Sequence, residues 1–204
     1  MKTEMKLDNI CNCLPERRKV IEKALSSDKC FGIEDLAIEF LGPEFGWFEI
    51  YFKLSGGKPF LIEASDVYPP FPALKKWLED MLDYVSFSSE SLCINCERYN
   101  VVLSYDYIGW DDFGPMALIQ LGDDISEEDG VGDYEQFVQM VVPIYSFVSK
   151  FYYSLKDYIN ANRRVFCRNW SQYSDCSDFR KFIRLVESKT IEQKLEDAKK
   201  RFGK

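Results

Sequence analysis

An α+β domain built on an antiparallel sheet is predicted for this 204-residue chain by three patterns. Apolar residues alternate along several short stretches, recur every three or four residues along others, and the alternating stretches are joined by connections too short for parallel crossovers. The resulting order is helix, two strands, helix, three strands, helix, helix (α-ββ-α-βββ-α-α). That order describes an antiparallel sheet of about five strands with helices packed on one face. No linker rich in glycine, proline or serine interrupts the chain. Residues 1–204 are therefore read as one domain, with its core over 16–187 and a peripheral C-terminal helix over 190–202.

The elements follow in sequence. Residues 16–25 suit a short helix after Pro15, since proline is tolerated at a helix start. In the hairpin that comes next, Phe48, Ile50, Phe52 and Leu54 share one face, while Glu49, Tyr51 and Lys53 share the other. Ser55-Gly56-Gly57-Lys58 turns the chain, and Phe60, Ile62 and Ala64 resume the alternation. Tyr68-Pro69-Pro70-Phe71-Pro72 ends the second strand, because proline cannot donate to a ladder. Leu74, Trp77, Leu78, Met81, Leu82 and Val85 then form a helical stripe, with Lys75, Lys76, Glu79, Asp80 and Asp83 on the solvated side.

Three strands are predicted beyond that helix. Leu92, Ile94 and Cys96 alternate, as do Val101, Leu103, Tyr105 and Tyr107, and residues 115–121 form a short buried run. Residues 134–159 read as one long helix with Phe137, Val141, Ile144, Val148, Phe151, Leu155 and Ile159 in register. Pro143 either kinks that helix or marks a late start. Phe179, Phe182, Ile183 and Val186 suggest another helical segment, and Ile191, Leu195, Ala198 and Phe202 a last amphipathic one.

Composition excludes more than it selects. The chain has no histidine, so a Ser-His-Asp triad, a Cys-His pair, a histidine-ligated zinc and a histidine pH switch are impossible within it. No G-x-G-x-x-G, G-x-S-x-G or P-loop is present, and Ser55-Gly56-Gly57-Lys58 is too short for the last. A non-enzymatic role is therefore favoured. The alternative is an enzyme or small-ligand-binding domain using carboxylates in a sheet-edge cleft. The N-terminal residues show no signal-peptide pattern, and the most apolar stretch, 137–148, is too short to span a bilayer. A cytoplasmic location with no membrane association is expected.

Seven cysteines, an odd number, point to reduced thiols. Cys93-Ile94-Asn95-Cys96 has the spacing of a zinc knuckle or redox pair, but no second pair completes a zinc site and the segment alternates like a strand. These cysteines are read as small hydrophobes on a sheet. No metal site and no cofactor is implied.

Charge is unevenly distributed. Residues 1–30 carry net +2, residues 31–145 net −17 and residues 146–204 net +7. Asp111 and Asp112 occupy one loop; Asp123, Asp124, Glu127, Glu128, Asp129 and Asp133 occupy another. An EF-hand is excluded, because placing Gly130 at its sixth position puts Ile125 where the first carboxylate belongs. A strand of about six or seven residues would hold the two loops about 20 Å apart.

An acidic run is either a solvated loop or a docking surface, since a field of one sign speeds encounter with a partner of the other. Tyr107, Trp110 and Phe113 interleave with these acids, so they are interface anchors or the edge of the core. On the docking reading, Tyr107, Trp110, Asp111, Asp112, Asp123, Asp124, Glu127, Glu128 and Asp129 bind a basic protein partner. The basic C-terminal third raises nucleic acid as a partner. The overall pI near 4.8 and the lack of a binding motif argue against it.

Three segments carry a resemblance: Gly46-Trp47-Phe48-Glu49-Ile50, then Ala64-Ser65-Asp66-Val67-Tyr68-Pro69-Pro70-Phe71-Pro72-Ala73-Leu74, then Trp77-Leu78-Glu79. Over residues 45–159 the chain resembles uncharacterised bacterial α+β proteins of the immunity-like kind. In those, a hairpin leads through a Ser-x-x-Tyr-x-Pro-Phe-x-x-Leu segment into a helix. The resemblance transfers no catalytic residue. It implies a small neutralising or adaptor protein, with a toxin as the basic partner.

Overall fold

The structure, a computed structural model, describes residues 19, 21–24, 26, 30–68, 70–83, 90–97, 99–111, 114–124, 137–169, 180, 181, 183, 184, 187 and 189–202. Eight strands and four helices with defined bounds follow in the order β1 (Cys30–Phe31), β2 (Leu36–Glu44), β3 (Trp47–Leu54), β4 (Phe60–Ser65), α1 (Phe71–Leu82), β5 (Glu90–Asn95), β6 (Asn100–Asp111), β7 (Gly114–Asp124), β8 (Phe137–Pro143), α2 (Ile144–Ala161), α3 (Arg163–Asn169) and α4 (Lys189–Phe202). The class is α+β, as expected, but the sheet is two sheets. One is three-stranded and antiparallel, ordered β2-β3-β4. The other has five strands ordered β1-β8-β7-β6-β5, antiparallel except for the two-residue edge strand β1, which runs parallel to β8.

The predicted β3–β4 hairpin forms, and its register sets Ile50 opposite Ile62 and Phe52 opposite Phe60. Strand β2 adds to its other side and was not anticipated. Leu36, Ile38 and Phe40 point inward there while Ala37, Glu39 and Leu41 point to solvent. The long helix expected over 134–159 is instead a strand followed by a helix, and Pro143 is the boundary. Val138, Met140 and Val142 are buried on β8, and α2 starts at Ile144. A proline last in the strand loses little, because its missing N–H falls where the ladder ends and its φ of −62° suits a helix entry.

One hydrophobic cluster holds both sheets. It includes Phe48, Ile50 and Ile62 of the small sheet, Leu103, Ile119 and Met140 of the large one, and the inward stripes of α1 and α2. Helix α2 is the bridge. Its Phe151 meets Phe40 and Phe52 at ring-centroid distances of 5.7 and 5.8 Å, and its Phe147 meets Trp77 of α1 at 6.1 Å. Lys150 Nζ donates to the carbonyls of Ile33 and Leu36, and the Tyr158 hydroxyl donates to Leu41 O. These bonds satisfy carbonyls on and just before β2 with side chains of α2 and tie the helix to that strand. Helix α4 packs against α1 and α2 through the Lys194–Asp83 and Lys156–Glu192 ion pairs.

The helices are not confined to one face. Ile21 and Ala24, in a helical stretch over 21–24, pack with Ile108, Met116 and Leu118 on the opposite side of the large sheet. Ile108 follows inward-facing Tyr107 and so falls on that outer side with Met116 and Leu118, which makes this end of the β6–β7 ribbon apolar on both faces and in need of cover on both. Among the described residues no helix is long and apolar enough to cross a membrane.

Candidate functional site

Among the described residues, the acids singled out from the sequence stand at opposite ends of the β6–β7 ribbon. Strand β7 is 11 residues long, so the Asp111–Gly114 turn and the Asp123–Asp124 end lie roughly 33 Å apart along the ribbon, rather than about 20 Å. Tyr107 and Asp123 are buried, on the inward face with Val101 and Leu121. Neither can anchor a partner. Trp110 is 39% exposed at the far tip of β6. Asp111 and Asp124 are the last residues of their strands, while Asp112, Glu127, Glu128 and Asp129 lie outside the described residues.

The outward face of the three-stranded sheet is more informative. Register fixes its rows: Glu39, Tyr51 and Leu61 lie side by side, then Leu41, Glu49 and Glu63, then Trp47 opposite Ser65. Lys53 forms an ion pair with Glu39. Glu49 and Glu63 are directly opposite each other, an arrangement of like charges that weakens a sheet. Interaction with the neighbouring Glu49 carboxylate, with some burial and the Glu63 charge, pushes the Tyr51 ionisation up. The face is thus acidic with aromatic rings set between the acids, which is the chemistry expected of the other loops. These carboxylates lie on an open face rather than in a cleft.

At the end of this face the β2–β3 turn exposes more apolar surface. Phe45 and Gly46 are its two central residues, with φ of 50° and 85°, between Glu44 and its partner Trp47. Two successive left-handed residues are what a tight hairpin turn requires, and glycine suits the second. Here a side chain at Gly46 would also meet the Asp66 carboxylate at 2.8 Å. Phenylalanine suits the first position poorly, since a left-handed L-residue costs about 1–2 kcal/mol. Its ring is 93% exposed, so nothing in the fold offsets that cost. The Asp66 N–H donates to Gly46 O at 2.8 Å, which brings the chain leaving β4 alongside the turn. Val67 and Tyr68, 60% and 51% exposed, follow directly, and Trp47 and Leu41 are partly exposed on the adjoining face. Glu44, Glu49, Glu63 and Asp66 border these residues.

The cysteine pair resolves simply. Cys93 is exposed opposite Val102 on the outer face of β5, whereas Cys96 is buried at the end of that strand. An odd separation along a strand directs the two side chains to opposite faces, so they neither ligate one ion nor bond to each other. Burial, reinforced by the charges of Asp123 and Glu63, pushes the Cys96 thiol up to about 12. Burial likewise raises the neighbouring Tyr99, whose environment also includes Cys96 and Glu63. Native protein treated with iodoacetamide at about pH 8 is expected to be alkylated at Cys93 and spared at Cys96, as read by peptide mass mapping. Alkylation of Cys96 at a comparable rate would contradict its burial. The same shift makes Cys96 a source of alkaline lability. Its contribution is complete below the usual thiol value of 9.0 and is lost as pH rises towards about 12, because the unfolded chain releases that proton first.

Among the described residues no group of three or more Cys, Asp or Glu side chains is arranged to hold a metal ion. No family model, curated protein or solved structure matches this chain.

Proposed function

We propose that the chain is a non-enzymatic protein-binding protein, immunity-like or adaptor in role, that docks a basic protein partner through an acidic surface containing aromatic residues. A toxin is the kind of basic partner that role calls for, and a cytoplasmic setting suits the reduced thiols. The observation that carries this reading is Phe45. An aromatic ring held outward by a left-handed backbone is unfavourable for the isolated chain twice over, through strain and through exposed apolar area. Anchoring another protein accounts for both. The surrounding carboxylates supply the attraction that a basic partner answers, and the aromatic composition matches that of interface centres.

The docking face is placed on the three-stranded sheet and its β2–β3 turn. Two charge-reversed proteins separate this placement from the loops: Glu49→Lys with Glu63→Lys, and Glu127→Lys with Glu128→Lys. Capture from native lysate on each is compared with wild type at about 50 mM and about 500 mM salt. Only the first pair is expected to lose a salt-released basic protein. Loss with the second pair only would move the interface to the 125–136 segment. Capture that is indifferent to both pairs and to salt would remove the electrostatic basis of the proposal.

A further inference from the structure

We infer, resting on that docking face, that it selects arginine over lysine, taking a guanidinium across the Glu49–Glu63 pair between the rings of Trp47 and Tyr51. Glu49 and Glu63 face each other on neighbouring strands, and directly opposite side chains leave their Cβ atoms about 5 Å apart. Two carboxylates at that spacing present paired acceptors to the fork of donors on a guanidinium, whereas an ammonium is a single point of charge. Neither carboxylate has a cationic partner among the described residues, since the nearby Lys53 is committed to Glu39.

Aromatic rings stand on either side of that pair. Trp47 and Tyr51 occupy the outward positions before and after Glu49 on β3, each about 6.6 Å away along the strand. A planar cation centred on the carboxylates is within stacking reach of both rings, and arginine stacks on aromatic faces more readily than lysine.

Fluorescein-labelled nona-arginine and nona-lysine peptides, equal in length and charge, provide the test. Each is titrated by anisotropy into wild type, Glu49→Gln/Glu63→Gln, Trp47→Leu and Glu127→Lys/Glu128→Lys. Wild type is expected to prefer the arginine peptide by roughly fivefold. That preference should disappear in the Gln pair and in Trp47→Leu, and persist in the Lys pair, whose changes leave every residue of the sheet face intact. Far-ultraviolet circular dichroism checks that each variant is folded. If the Gln pair weakens both peptides equally and the arginine preference persists, the face is acidic but unselective; the arginine inference falls and the docking proposal stands. A wild type that binds neither peptide, or binding unchanged in every variant, overturns both.

Discussion

Phe45→Gly is expected to make the protein more stable and less able to bind. Removing a left-handed phenylalanine relieves about 1 kcal/mol of backbone strain, net of the extra freedom glycine gives the unfolded chain. Nothing is lost from the core, because the ring is almost wholly in solvent. Binding should suffer far more. An aromatic anchor at an interface centre is worth about 2–4 kcal/mol, or roughly 30- to 1000-fold in affinity. Urea midpoints and retention of the captured partner, measured on the same two proteins, read the two effects separately. Phe45→Asn, which tolerates the left-handed backbone but has no ring, should behave in the same way. A Phe45→Gly protein that binds as wild type does would show that the exposed ring is no anchor. A destabilised one would show that the ring packs in the free protein.

This site was half legible in the sequence. The alternation of the β3–β4 hairpin already assigns Glu49 and Tyr51 to the outward face, and that assignment holds. Which outward residues become neighbours depends on register, however. Glu49 meets Glu63, and Trp47 meets Ser65, only through hydrogen-bonded pairing across the whole hairpin. The exposure of Val67 and Tyr68 depends on where the chain leaves β4, and the prolines that follow announce only that it leaves. The left-handed turn had one readable cue, the Phe45-Gly46 dipeptide before a strongly alternating run. Glycine second in a two-residue turn is common; phenylalanine first is what conceals it.

Conversely, one of the conspicuous acids lies inside the fold for a physical reason. A run of acids suggests solvent, yet Asp123 lies on the inward row of β7, after Ala117, Ile119 and Leu121. Parity along the strand overrides polarity there. The same rule explains β8. Its outward Val141 packs beside the Ile21 and Ala24 cluster, so beyond Gln139 both faces are apolar and the period of two disappears into the run Met140-Val141-Val142. Such a run joined to a true helix looks helical throughout, and only Pro143 marks the junction. Strand β2 had the clearer signal, Leu36, Ile38 and Phe40 alternating with Ala37, Glu39 and Leu41, although Gly42 and Pro43 within it are residue types that weaken a strand pattern.

Phe151→Ala is expected to cost about 3–5 kcal/mol, the range for deleting a fully buried phenylalanine, and to weaken both sheets together. Phe151 touches Phe40 and Phe52 of the small sheet, and Phe147 one turn earlier on α2. Helix α2 also packs on β7 and β8 of the large sheet. A cavity at this position therefore lies where the two layers share their core. Because the whole stability of a domain is about 5–15 kcal/mol, the loss is a large fraction of it. Native-state hydrogen exchange resolves the consequence by residue. If the chain folds as one unit, amides of Ile50 and Ile62 and amides of Leu103 and Ile119 lose the same protection free energy. If the three-stranded sheet alone loses protection while the large sheet keeps it, the chain is two cooperative units joined by α2. The docking face would then belong to the weaker one, and ligand binding to it would raise the protection of β2, β3 and β4 without changing that of β6 and β7.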